Sequence, residues 1–436
     1  MRNAVLVALM CGALPVCVFA QGGMQSDQLS PSFTLSANPH TLHAGSNAAG
    51  GGKLGNRSNS SLLGIDSLPN WSSYFYYPGV DGSGNLQFTW DYTMVGNSPL
   101  GQGNQGQGNK GNSNGESTNI GAPIVPVNLD LRNSDGSPRF VNGKRLYSDA
   151  TQYVAPVLSS PIFSNTFYSS SNEPTQFTDA IQRAEFIHKA DEQWHTLLKP
   201  RVVTARTMVL IRGTYRFALN ADGTCCAYVL IDINTFVNAL FPATATDTTT
   251  PVGAAENAHD IRTVDLSTFL FPNAYLYFNN DPNQCCVIGF HSYDLEPGGP
   301  NNGFLERRYV LNYSSWISPG VFNDPTFGDI SALSHELAET FNDPFVNNAT
   351  PWWLSPNGNC QNNLETGDVI EGLPNAQFPI VLNGKTWHPQ NEALLQWFAG
   401  VTPSNAISKA YSYPDTNVLT SANVSQKVGC TAPLPQ

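Results

Sequence analysis

The residues best placed to do chemistry lie between Asp329 and Pro344, where the chain reads Asp-Ile-Ser-Ala-Leu-Ser-His-Glu-Leu-Ala-Glu-Thr-Phe-Asn-Asp-Pro. Apolar residues recur there at helical spacing, and the stretch contains His335-Glu336-x-x-Glu339, one substitution from the His-Glu-x-x-His helix of zinc proteases. Residues four apart on a helix are about 40° apart around its axis, so both side chains reach one metal while the intervening Glu serves as general base. Here the second ligand position is Glu339. Zinc accepts a carboxylate oxygen at nearly the same distance as an imidazole nitrogen. An added negative ligand weakens the ion as a Lewis acid and leaves its bound water less acidic, which points to slower or different chemistry.

The expected site is a single zinc ion with His335 and Glu339 as ligands and Glu336 as base. Three protein ligands plus water is the usual catalytic arrangement, so a third ligand is needed. The first choice is Glu365, in the acidic turn Glu365-Thr366-Gly367-Asp368, with Asp368 either a ligand or a partner that orients the histidine. Asp343 is a further candidate. A carboxylate in the last helical turn faces the negative end of the macrodipole, at a cost of about 0.3 to 1 kcal/mol, so Asp343 should bind a backbone turn, His335 or the metal. His291 and His388 are weaker ligand candidates that read more readily as packed or hydrogen-bonded histidines, and Trp352 and Trp353 could wall a cleft but read more readily as core. On a helical wheel Ile330, Leu333, Leu337 and Phe341 share one face, with His335, Glu339 and Asn342 opposite. The plainest alternative is that this second face is solvated and carries a weak ion pair.

Most of the elements expected to position this helix are strands. Trp71–Tyr77 and Leu86–Val95 are expected to be half-buried strands, as is Ile124–Leu131 beyond a Gly/Asn/Gln-rich loop over 96–121. A helix is expected near 174–199. Strands then follow at Thr207–Ile211, Tyr215–Leu219 and Cys226–Ile233, the last two as a hairpin across Asp222-Gly223, and at Ala274–Phe278, Cys286–His291 and Arg308–Tyr313. A mixed sheet packed on a metal-type helix is an α+β, zincin-like layout. The organisation is a signal peptide over 1–20, a low-complexity leader over 21–66, a strand-rich part over 67–200 and a metal-site domain over 201–436.

Charged residues are only 12% of the chain, and Asn, Ser, Thr, Gly and aromatics fill the gap. Arg2, the apolar run to Phe19 and Val18-Phe19-Ala20 have the form of an export signal, which makes the protein secreted or periplasmic. The net charge of −12 becomes more negative by one once Arg2 is lost, which argues against nucleic acid as a partner. No later apolar run has the length of a membrane span. Cys225, Cys226, Cys285, Cys286, Cys360 and Cys430 remain beyond the leader, an even set that favours disulfides in an exported chain. Neighbouring strand residues face opposite ways, so bonds between the two vicinal pairs, with a Cys360–Cys430 staple, are expected.

Three segments carry a family resemblance: Gly289-Phe290-His291-Ser292, then Ser334-His335-Glu336-Leu337-Ala338-Glu339 with Asp343-Pro344, then Glu365-x-Gly367-Asp368. Their order resembles the phosphate-induced, Exordium-like secreted proteins of plants and their bacterial relatives, across roughly residues 205 to 400. Phe290 stands where that family usually has Tyr, and Val369 where a Cys often follows the Gly-Asp. The resemblance implies an exported, zincin-like protein with His335, Glu339 and Glu365 or Asp368 around a metal. The leading functional expectation is a zinc-dependent hydrolase acting on a peptide or cell-wall substrate. The alternative is a non-catalytic extracellular binding protein with a structural or vestigial metal site.

Overall fold

The computed structural model describes residues 27–30, 33–35, 68–77, 88–99, 117–297, 304 and 306–423. The expected signal peptide, most of the leader, most of the 96–121 loop and Cys430 lie outside the described residues. Strand outweighs helix.

The organising layer is a seven-stranded mixed sheet. Its path runs Gly289–Glu296, Arg307–Trp316, Leu266–Pro272, Thr118–Arg132 and Tyr147–Ser148, and Thr118–Arg132 also pairs with Thr196–Val202 and Arg206–Ile211. The 15-residue central strand takes these last two as parallel neighbours in succession, Thr118 to Ile124 beside the first and Val127 to Arg132 beside the second. Leu266–Pro272 is buried along its whole length, as expected for a strand covered on both faces. At the end of the path, Gly289–Glu296 runs antiparallel to Arg307–Trp316.

Each face of the sheet has its own core. One buries Val127, Leu129, Phe269, Phe290, Leu311 and Tyr313 against the helices Ile233–Leu240 and Pro251–Asn257. The other buries Ile120, Leu270, Tyr293 and Val310 against Phe177–Glu185 and the helix Ser331–Asn342. A second sheet, ordered Cys285–Val287, Ala274–Tyr277, Cys225–Asp232, Tyr215–Leu219, contains the expected hairpin.

Several expectations are corrected. The helix near 174–199 is confined to Phe177–Glu185, and Thr196–Val202 is a strand that includes Pro200. The helix stops at Glu185, and Thr196 and Leu198 are buried on either side of half-buried Leu197, which is strand alternation. The strand expected over Cys286–His291 is divided at Ile288 between the two sheets. Cys225 is bonded to Cys226, and Cys285 to Cys286. Both pairs open a strand beside a register shift, where the alternation that would have sent neighbouring side chains to different partners is interrupted. Cys360 is disulfide-bonded. The described residues of the leader are bonded to the second sheet. Asp27 and Leu29 exchange backbone hydrogen bonds with Phe217 at 3.0 and 2.9 Å, and the Asp27 carboxylate pairs with Arg139 at 3.0 Å and Arg212 at 2.6 Å.

Glu185 ties the helix layer together. Its Oε1 accepts from the Leu395 backbone N–H at 3.0 Å and from Asn342 Nδ2 at 3.3 Å, while Oε2 has no partner. Burial pushes its pKa up from 4.5 to about 8 against the pull of those two donors. A folded pKa above the unfolded one means that this contribution to stability is complete below the unfolded value. It then falls by about 1.4 kcal/mol per pH unit as the pH rises towards the folded pKa. Urea unfolding at pH 5 and at pH 8 should show this loss, and Glu185→Gln, which keeps an oxygen for both donors, should reduce it.

Candidate metal centre

Period-two alternation on the edge strand sends Gly289, His291 and Tyr293 to the face that meets the helix Ser331–Asn342. Every residue of that helix is buried, so the solvated-face reading is excluded. Leu333, Leu337 and Phe341 join the apolar core, and His335, Glu336 and Glu339 face His291 and the 365–368 turn.

The helix is held at both ends. Asp329 Oδ1 accepts the Ile330 and His388 backbone N–H groups at 2.6 and 3.0 Å, and Oδ2 lies 2.9 Å from His388 Nδ1. His388 is thus engaged at the helix start rather than with the acidic group. At the far end Asp343 Oδ1 accepts the backbone N–H groups of Asn347 and Asn348 at 2.9 and 3.2 Å, which is the first of the three partners considered for it, a backbone turn. Burial pushes the Asp343 carboxyl up to about 6 against His291 and these donors.

Between these ends the side chains converge. His335 Nε2 lies 3.2 Å from Glu339 Oε1 and 3.6 Å from Asp368 Oδ1. His291 Nδ1 lies 3.4 Å from Glu339 Oε2 and 3.7 Å from Glu336 Oε2, and its Nε2 is 3.8 Å from Glu365 Oε2. All five residues expected at the site, His335, Glu336, Glu339, Glu365 and Asp368, are therefore in one buried cluster. His291, a weaker ligand candidate in the sequence, is in it too. Glu365 approaches His291, whereas Asp368 approaches His335.

The turn is fitted closely to the helix. Gly367 and Asp368 donate their backbone N–H groups to Glu339 Oε1 at 3.0 and 3.3 Å. Gln361 Nε2 holds Asp368 Oδ2 at 2.7 Å, and Gln390 Nε2 donates to the Gly367 carbonyl at 2.8 Å. A Cβ on Gly367 would stand 2.5 Å from His335 Nδ1, and one on Gly289 would stand 2.5 Å from Glu336 Oε1. Both glycines are required by close approach.

Without a cation the charges are strongly perturbed. Burial disfavours a charged His291, but Glu365, Glu336 and Glu339 outweigh it and raise its pKa well above the ordinary value. His335 is raised likewise, with Glu339, Glu336 and Asp368 overcoming burial. Burial pushes Glu336 up to about 7 against the pull of both histidines. Glu339 resists the same burial because His335 and His291 hold it below the usual carboxylate range. Glu365 is well above that range through burial and the neighbouring Glu339. Glu392, which the sequence reading passed over, is raised by burial beside the cluster, and its Oε2 accepts from Thr366 Oγ1 at 3.0 Å.

The donor set fits a metal. Both ring nitrogens of His291 and His335, both oxygens of Glu336 and Oε1 of Glu365 are buried with no hydrogen-bond partner. Unsatisfied buried polar atoms are costly, and imidazole and carboxylate are common ligands for zinc and its first-row neighbours. The buried His/Glu groups can hold a metal ion.

The packing of Gly367 on His335 is directly testable. Gly367→Ala should cost about 1 to 3 kcal/mol through overpacking. It should also weaken metal uptake about tenfold by turning the imidazole, as read by thermal melts and by titration with a chromophoric chelator.

Comparison with family models, with curated proteins and with solved structures gives no match to this chain.

Proposed function

We propose that this chain is an exported, zincin-like zinc hydrolase related to the Exordium-like proteins, acting on a peptide or cell-wall substrate. The observation that carries the reading is the set of orphaned imidazole nitrogens and carboxylate oxygens gathered about Glu339. The metal would be held either by His335, Glu339 and Asp368 or by His291, Glu339 and Glu365. Zinc bound there would supply a Lewis acid that polarises a carbonyl and makes water more acidic. Glu336 has the general-base role: its carboxylate lies beside the cluster with both oxygens unpartnered, free to accept a proton from the attacking water and return it to the leaving group. The backbone amides of Gly367 and Asp368 fix Glu339 so that its position does not depend on substrate. Among the described residues no helix is long and apolar enough to cross a membrane, which is compatible with an exported chain.

Complete burial of the donors favours one further reading, a closed structural metal site in a non-catalytic extracellular protein. A single pair of variants separates the two. Under the hydrolase reading, Glu336→Gln should keep the fold and the metal while reducing chelator-sensitive hydrolysis of a peptide library about 10²- to 10⁴-fold. Under the structural reading, His335→Ala lowers the melting temperature and wild-type protein cleaves nothing in the library. A purified wild-type protein that takes up no zinc removes both.

A further inference from the structure

The two histidines do not belong to one ligand set. His291 groups with Glu339 and Glu365, and His335 groups with Glu336 and Glu339, the ligand atoms within each group lying within 4.8 Å of one another. Glu339 is the member common to both. Its two oxygens are addressed separately, Oε2 by His291 Nδ1 at 3.4 Å and Oε1 by His335 Nε2 at 3.2 Å.

From this arrangement we infer that the centre is built for two divalent cations, one on each side of Glu339, with that carboxylate between them. The first position is formed by His291, Glu339 and Glu365. The second is formed by His335, Glu339 and Asp368, whose Oδ1 stands 3.6 Å from His335 Nε2 while Gln361 holds Oδ2. Glu336 lies within reach of both imidazoles and completes the shared wall. The inference rests on the metal-centre reading given above and adds a second ion to it.

Charge supports two ions. Among the described residues, the ion pairs of Glu336, Glu339 and Glu365 are with His291 and His335, and none is with lysine or arginine. Two dications with neutral imidazoles would be matched by Glu336, Glu339, Glu365 and Asp368, leaving Glu392 and Asp343 to their own donors, whereas one dication would leave two more carboxylates to be neutralised by protons. A carboxylate between paired metal ions, with histidines and further carboxylates outside, is an established ligand chemistry for two-ion hydrolytic and redox centres. The second, independent indication is that both nitrogens of each buried imidazole lack any hydrogen-bond partner. A single ion would satisfy only one of the two rings in the positions they occupy.

The test is metal content. The full-length chain, stripped with a chelator, equilibrated with zinc and exchanged into metal-free buffer, should carry two zinc ions by elemental analysis. His291→Ala and His335→Ala should each retain one. Loading the wild type with Mn(II) should give an exchange-coupled signal in electron paramagnetic resonance, and either variant should lose the coupling. One zinc per wild-type chain overturns the two-ion centre and leaves the metal-site reading intact, whereas zero zinc removes both. A content of two that neither substitution lowers also overturns the inference, because it places an ion elsewhere. Should the alanine variants fail to fold, Glu365→Gln and Asp368→Asn, which preserve size, replace them under the same criteria.

Discussion

The structure depends on how a concentration of carboxylates is kept in a dry interior. Glu336 and Glu339 of the site helix, Glu365 and Asp368 of the turn, and Glu392 beside Thr366 are all buried, where an uncompensated ionised carboxylate costs several kcal/mol. The compensation comes from two imidazoles and from backbone and amide donors aimed at Glu339 and Asp368. Such a cluster has little stabilising value of its own, and a cation held among its carboxylates would supply the charge that the two imidazoles only partly provide.

Meeting this constraint shapes the surrounding backbone. The edge strand must bring His291 to the helix while Gly289, two residues earlier on the same face, leaves room for Glu336. The turn after the Cys360–Asn363 strand must pass close enough to donate to Glu339 and lie against His335, which only Gly367 permits. The helix is in turn fixed from outside by Asp329 with His388 and by Asp343 with the Asn347–Asn348 turn. The opposite face of the sheet carries aromatic and aliphatic packing around Phe236, Phe271 and Tyr313 and acts as the platform against which this positioning is made.

What was legible in the sequence was mostly local. The site helix, the hairpin over Tyr215–Asp232 and the strands Thr118–Arg132, Arg206–Ile211 and Arg307–Trp316 follow in large part from periodicity and turn residues, whereas Leu266–Pro272, Tyr147–Ser148 and Thr196–Val202 do not. That Asp343 needs a partner also follows, since a carboxylate at a helix C-terminus opposes the macrodipole, but the choice of the Asn347–Asn348 turn over His335 or a metal does not. The helix read to residue 199 was not legible, because its later apolar residues satisfy a helical and a strand pattern about equally until the neighbouring strand Thr118–Arg132 decides between them. The vicinal disulfides were missed because register shifts at two strand ends depend on partner strands distant in the chain.

For the site, the sequence by itself determined the helix that carries His335, Glu336 and Glu339, since four-residue spacing places side chains together within any helix. It also pointed to the acidic turn holding Glu365 and Asp368. Tertiary structure alone decided that the polar face of the helix is buried, that His291 faces Glu339, and that Glu365 approaches His291 while Asp368 approaches His335. The reason is that helical spacing relates residues within one turn or two, whereas convergence of residues 291, 339 and 365 depends on strand order and on which edge of the sheet meets the helix. Those are properties of the whole packing, and no local spacing encodes them.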